Sequence, residues 1–198
     1  MKRQVLPLGA VILSMALCAQ AASAGTGPVN FGLGGGITMP TNGTGDALKN
    51  GFHLRGLAEF HVPALSFGLR GALGYQKMNL QDIVQSAAGI TNGESKILSG
   101  LAGVTFPLVS TGAVRPYITA SLGAFHVNGQ ADSSGVSFSN SQTRFGIDGG
   151  VGMKLGLGKA QGFVEARLEN VYTEAGWNPA VSSLKNARFI PVTFGFSF

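Results

Sequence analysis

From Val29 to Phe198 the dominant pattern of the chain is alternation. Apolar residues recur at every second position through successive stretches, with small or charged residues between them. A period of two places successive side chains on opposite faces of an extended strand, so the pattern selects strands and gives each one two faces. The first stretch sets Val29, Phe31, Leu33, Ile37 and Met39 against Asn30, Gly32, Gly34, Gly36 and Thr38. The second sets Phe52, Leu54, Ala58, Phe60 and Val62 against His53, Arg55, Glu59 and His61. The third sets Leu65, Phe67, Leu69, Leu73 and Tyr75 against Ser66, Gly68, Arg70, Ala72, Gly74 and Gln76. In the sixth, Phe145, Ile147, Val151, Met153 and Leu155 oppose Arg144, Asp148 and Lys154; in the seventh, Val164, Ala166, Leu168 and Tyr172 oppose Glu165, Arg167 and Glu169. The last opposes Ile190, Val192, Phe194, Phe196 and Phe198 to Thr193, Gly195 and Ser197. Strands four and five, about 97–106 and 115–127, alternate less cleanly, with Leu98, Ala102, Val104 and Phe106, then Ile118, Ala120, Leu122 and Ala124, as their apolar faces.

Eight strands of this length match the ~9–11 residues that cross a bilayer at a tilt. Their connections alternate: long ones at about 40–50, 78–95, 128–141 and 173–186 interleave with short ones at Pro63-Ala64, 107–113 and 156–161. An up-and-down barrel with short turns at one end and long loops at the other produces this alternation. The expected fold is therefore all-β, an eight-stranded antiparallel up-and-down transmembrane β-barrel. The polar face carries Arg55, Glu59, Arg70, Asp148, Lys154, Glu165, Arg167 and Glu169, four bases and four acids, and much of the glycine. A soluble barrel would turn such a face outward. Balanced charge and small size are instead what a narrow interior requires, with the apolar face toward lipid. Phe31, Phe60, Phe67, Phe106, Phe196 and Phe198 then fall near one rim and Phe52, Tyr75, Phe145 and Tyr172 near the other, as two aromatic girdles.

The N-terminus reads as an export signal over residues 1–24: Lys2 and Arg3, an apolar run from Val5 to Leu17, and a small-residue cleavage site at Ala22-Ser23-Ala24. Residues 25–198 form the barrel domain. The single cysteine, Cys18, lies in the signal, so the mature chain has neither a disulfide framework nor a thiolate metal site. Charged residues make up 12 % of the chain and the mean hydropathy is +0.25, yet no stretch after the signal approaches the ~20 apolar residues of a membrane helix. Loss of Lys2 and Arg3 reduces the net charge of +5 to a weak bias without clusters, which argues against nucleic acid as a partner.

Site chemistry is sparse. His53 and His61 share a face but stand roughly 25 Å apart along a strand at ~3.3 Å per residue, too far to share a metal. Gly32 to Ile37 lacks the third glycine of a dinucleotide fingerprint, and Gly158-Lys159-Ala160 lacks the hydroxyl of a phosphate loop. No cofactor, metal or enzymatic activity is expected. Lys49, Lys77, Lys96, Arg144, Lys185 and Arg188 lie near strand ends on the long-loop side, where cations meet lipopolysaccharide phosphates or mark where strands leave the membrane. Asp46, Asp82, Glu94, Asp132 and Glu174 share that side, and Trp177 is in the fourth long loop. The segments Thr41–Asn50, Asn79–Glu94, Asn128–Ser141 and Thr173–Asn186 are rich in Gly, Ser, Asn and Ala and are expected as mobile, water-exposed loops that carry recognition.

The terminal stretch Ile190-Pro191-Val192-Thr193-Phe194-Gly195-Phe196-Ser197-Phe198 ends on phenylalanine with apolar residues at every second position counting back. With Arg115-Pro116-Tyr117 and Gly162-Phe163-Val164-Glu165-Ala166-Arg167, it resembles the small bacterial outer-membrane β-barrels, the OmpA-like and OmpX-like porin-family proteins. The resemblance covers Gly25 to Phe198. It implies a monomer in the outer membrane with both termini in the periplasm, in contact with outer-membrane lipid and lipopolysaccharide. It also implies that Phe194, Phe196 and Phe198 are read by the barrel-assembly machinery. The implied role is structural or surface-interacting through the extracellular loops; the alternative is a narrow passive channel for small solutes or a small apolar molecule. A lipid A deacylase of this membrane would show a His-x-Ser-Asn type motif, and the nearest string, His126-Val127-Asn128-Gly129, lacks the serine.

Overall fold

A computed structural model describes residues 29–61, 65–82, 86, 92–109, 111–133, 136–157, 160–172 and 186–198. The signal at 1–24, most of the fourth long loop with Trp177, and Gly158-Lys159 lie outside the described residues.

Eight antiparallel strands, each paired with its sequence neighbours, close into a barrel. They are β1 (Val29–Thr41), β2 (Gly51–His61), β3 (Gly68–Asn79), β4 (Asn92–Pro107), β5 (Val114–Ser133), β6 (Val136–Leu157), β7 (Ala160–Tyr172) and β8 (Asn186–Ser197), with a short helix α1 (Gly43–Ala47) between β1 and β2. No helix among the described residues is long and apolar enough to cross a membrane. The seam is made by β1 and β8, where Phe31 and Phe198 exchange both backbone hydrogen bonds at 2.9 and 2.8 Å. Register neighbours run from Phe31 through Ala58, Gly71, Ala102, Leu122, Ile147, Asn170 and Arg188 and return to β1 at Thr41, ten residues further on. That stagger is what tilts the strands, by about 35–45° in barrels generally, and with eight strands it leaves an interior just wide enough for side chains.

The faces fall where the alternation places them, including those of β4 and β5. Leu33 is 63 % exposed and Phe196 60 %, and Leu54, Leu98, Leu122, Val151, Leu168 and Phe194 are exposed around the same outer wall. An apolar surface this large and continuous is not tolerated against water, and hydrocarbon covers it without penalty. Outward rings pair at both rims: Phe67 with Phe106 at 5.7 Å near one end, and Phe52 with Tyr75 at 6.4 Å and Phe145 with Tyr172 at 6.2 Å near the other. The end carrying the termini and short connections is termed the turn end, and the opposite one the loop end.

Two of the expected loops are something else. The segment Asn128–Ser141 is mostly a ladder, with β5 and β6 paired from Asn128↔Ser141 to Ser133↔Val136. Its sequence loses the apolar alternation because neither face of a ladder beyond the membrane needs to meet lipid, so the signal of the strand disappears while the strand continues. Thr41–Asn50 is also not a free loop: Thr44, Ala47 and Leu48 are buried.

Candidate functional site inside the barrel and at its loop end

All eight charged residues of the polar face point inward. Arg70 is held by Glu165 through a two-bond fork, Nη1 to Oε2 at 2.6 Å and Nη2 to Oε1 at 3.0 Å. Tyr117 donates its hydroxyl to the same Glu165 Oε2 at 2.7 Å. Arg167 stands among three carboxylates, 3.2 Å from Glu165, 3.2 Å from Asp148 and 3.3 Å from Glu169. Arg55 reaches Asp148 at 3.2 Å and Glu169 at 3.6 Å, and Gln76 donates to Glu169 at 2.5 Å. Nearer the turn end, Glu59 pairs with Lys154, accepts from Thr105 at 3.3 Å and lies 3.9 Å from Arg70. Lys154 Nζ also lies 5.4 Å from the centre of the Tyr117 ring. Charges of both signs are thus matched one to one in a place where an unpaired ion would cost several kcal/mol. The network ties β2 and β3 across the lumen to β6 and β7, whereas the inward faces of β1 and β8 carry no charge and are small at Gly34, Gly36, Thr38, Thr193 and Gly195. His53 sits against that small-residue seam, with Nδ1 3.0 Å from Thr38 Oγ1 and Nε2 2.8 Å from Thr193 Oγ1. His61, at the end of β2, is exposed, so the two histidines are not brought together.

The inward glycines make room for this packing. A methyl group on Gly195 would lie 2.4 Å from the Phe163 ring, one on Gly152 2.4 Å from the Tyr117 ring, and one on Gly146 2.6 Å from the Phe125 ring. Each of these three rings therefore lies against a neighbouring strand that has no side chain at the point of contact.

Sequence reasoning missed the loop half of the lumen, which is apolar. Met78, Ile97, Phe125, Val127, Val171 and Phe189 face inward and are buried. They have the same parity as the charged residues: Phe189 is in phase with Thr193, and Phe163, nearer the turn end, with Glu165. Strict counting from the charges would have found them, and grouping by polarity hid them. Over this plug lies the strap of α1 with Leu48 and Lys49. Leu48 bridges to Leu80; Lys49 N donates to Asn79 O and Gln81 N to Ala47 O, both at 2.8 Å. The Gln81 side chain reaches Gly45 O at 3.2 Å and Leu48 O at 3.3 Å, and Arg188 N donates to Thr44 Oγ1 at 3.3 Å. Lys49 and Asp82 close the strap with an ion pair at 2.7 Å. An open cleft of ≈ 550 Å³ beside it is lined by Asn79, Asp82, Glu94, Gln130 and Asp132, while the cavity at the turn end, between Glu59, Tyr117, Lys154 and Phe163, holds only ≈ 10 Å³.

Outward-facing charges occur at the loop end. Lys77 and Lys96 both pair with Glu94, and Arg188 Nε donates to Asn170 Oδ1 at 3.3 Å. No group of three or more His, Cys, Asp or Glu side chains among the described residues is placed to hold a metal ion. Phe194 and Phe196 project outward on β8, with Phe198 just beyond its end.

Three of the solved structures that resemble this one in fold are the following. Neisserial surface protein A has a TM-score of 0.57 at 18 % identity, the match covering 87 % of this chain and 97 % of that one. A major outer membrane protein of Thermus thermophilus has a TM-score of 0.56 at 13 % identity, covering 87 % and 99 %. Ail, the attachment invasion locus protein of Yersinia pestis, has a TM-score of 0.53 at 18 % identity, covering 85 % and 98 %. No curated protein matches the sequence. The family profile described as outer membrane protein beta-barrel domain matches residues 10–198, nearly the whole length. With an apolar outer wall, a charge-filled interior and that match, the chain belongs to the outer-membrane β-barrel family.

Proposed function

We propose that this protein is a sealed, monomeric outer-membrane barrel that acts at the cell surface through its loop end, with a structural or surface-interaction role. In this reading residues 1–24 are removed on export, both termini face the periplasm, and the strap and the β5–β6 hairpin face outward, toward lipopolysaccharide and the medium. Phe194, Phe196 and Phe198 present the row that the assembly machinery reads. The observation that carries the proposal is the apolar plug under the strap: a narrow channel needs a wetted path, and Phe125, Phe189, Met78 and Ile97 fill it. Two of the proteins of like fold are named for a surface and for attachment, the same class of role.

Planar-bilayer recording tests the sealed barrel, and we expect no steady conductance from the refolded protein. A stable, reproducible ionic conductance would overturn the proposal in favour of a narrow channel. Deleting Phe198 tests the assembly row: folded protein in the outer membrane should fall sharply, and an unchanged yield would remove that role from the terminal strand.

A further inference from the structure

Arg115-Pro116-Tyr117 opens β5 at the turn end, and the packing uses only the last two of these residues. Tyr117 donates to Glu165, and Pro116 O accepts from Leu108 N at 2.9 Å. Ala113 O accepts from Gly156 N at 2.9 Å, so the backbone is fastened on both sides of Arg115. Its side chain is not. Among the described residues, every other lysine and arginine has a carboxylate or amide partner. The Arg115 guanidinium makes no ion pair or hydrogen bond there, although its Nε is shielded from solvent. Arg115 has the inward parity of Tyr117 and Thr119 and stands directly opposite Lys154. Like charges so placed destabilise a sheet. Glu59 pairs with Lys154 and leaves Arg115 as the surplus cation. Asp148, Glu165 and Glu169 are engaged deeper in the lumen. Asp46, Asp82, Glu94, Asp132 and, by sequence, Glu174 belong to the loop end, and the short connections contain no Asp or Glu. The terminal carboxylate, on Phe198, is at the β1–β8 seam, across the ring from β5.

A guanidinium with a shielded donor unused and a like charge opposite it is stabilised by an anion, and its planar fork matches a carboxylate. The cavity below holds only ≈ 10 Å³, so the lumen has no room for that anion, which must be presented from outside. The connection hydrogen-bonded to Pro116 exposes two apolar side chains, Leu108 and Val109. A free ion has no use for such a rim, whereas a peptide of mixed side chains does. We infer that the turn end at β5 is a docking site for an acidic peptide segment. The Arg115 fork receives one of its carboxylates, and Leu108 and Val109 meet its apolar residues. The placement of the partner in the periplasm rests on the proposed orientation; the binding itself does not.

NMR of the full chain in zwitterionic nanodiscs tests the site through the arginine Nε–H resonances. The probes are a short peptide alternating glutamate and leucine, the same peptide with glutamine in place of glutamate, and inorganic phosphate. The glutamate peptide should shift the Arg115 resonance, assigned by its loss in Arg115→Lys. It should bind at least about tenfold more tightly than the glutamine peptide, as expected for a hydrogen bond between charged groups. Arg115→Gln should abolish the preference, and the wild-type resonance carries the test if a variant fails to fold. Equal binding of the two peptides, or an unchanged preference in Arg115→Gln, overturns the inference. An equal shift with inorganic phosphate also overturns it, since the ligand is then a free anion. So does an equal shift when anionic lipid alone is added to the disc, which assigns the guanidinium to the membrane surface. Labelling of Asp46→Cys on intact cells tests the orientation separately: labelling from outside places the docking site in the periplasm, and labelling only after the outer membrane is opened places it at the cell surface without touching the binding result.

Discussion

The two halves of the lumen are lined by the same inward faces of the same strands, but they are held by different forces. Toward the turn end, contacts are directional: Arg167 serves three carboxylates and Glu165 serves two arginines and Tyr117. Toward the loop end, Phe125, Phe189, Met78 and Ile97 are held only by fit. A charged filling fails when one partner is lost, because the others cannot retreat to water. An apolar filling loses contact area in proportion to what is removed. The first half should therefore be brittle and the second graded.

Arg167→Ala is the strongest way to break that comparison. It leaves Asp148, Glu165 and Glu169 short of a cation inside the barrel, and removing one partner of a buried pair typically costs ~3–5 kcal/mol. The urea midpoint of the refolded barrel should fall clearly. A midpoint like that of the wild type would mean that water reaches these carboxylates, and that the turn half of the lumen is not packed.

A smaller loss is expected from the plug. Phe125→Ala removes a fully buried ring that lies against Gly146 and should cost about 3 kcal/mol, the low end for such truncations. The reverse change, Gly146→Ala, forces a methyl group to within 2.6 Å of that ring and should cost about 1–3 kcal/mol. The comparison sharpens if the pair is combined: the new methyl enters the space the ring left, so Phe125→Ala with Gly146→Ala should cost less than the sum of the two single changes. Strict additivity in urea titrations would show that the ring and the glycine do not share space.

How much of this was legible in the sequence follows from what each residue touches. Lipid imposes a single chemical demand on every outward position, so Leu33, Leu54, Val151 and Phe194 declare their face by type alone, and the strand count and closure follow. The inward charges were legible for the complementary reason, since Arg55 or Glu165 has no tolerable position on the outer wall. Their pairings were not: which acid meets Arg167 depends on the ten-residue stagger, which no local pattern encodes. Phe125, Phe163 and Phe189 were missed because apolar residues fit either side of the wall, so only parity distinguishes them. The strap was missed because its anchor is two residues, Ala47 and Leu48, in a stretch otherwise written like a loop. Beyond the membrane the demand of lipid lapses, and the ladder from Asn128 to Ser141 lost the alternation that marks the strands below it.

That last contrast yields the smallest expected effect. Replacing Gly129–Asn140 with a two-residue turn removes the outer part of the β5–β6 ladder but leaves every lipid-facing pair from Leu122↔Ile147 downward. Strand pairing alone is marginal in water, and shortening a connection from twelve residues to two changes its closure entropy by only about 1.5 kcal/mol, in favour of the shorter one. The urea midpoint should therefore not fall. Leu48→Ala, a far smaller excision, should lower it by about 2 kcal/mol, because Leu48 is 3 % exposed and lies over the plug. Measured side by side, the pair separates length from burial: the outer part of the ladder should matter less to the barrel than one buried side chain. If trimming the hairpin proves the costlier change, the ladder is a structural part of the barrel rather than a surface for recognition.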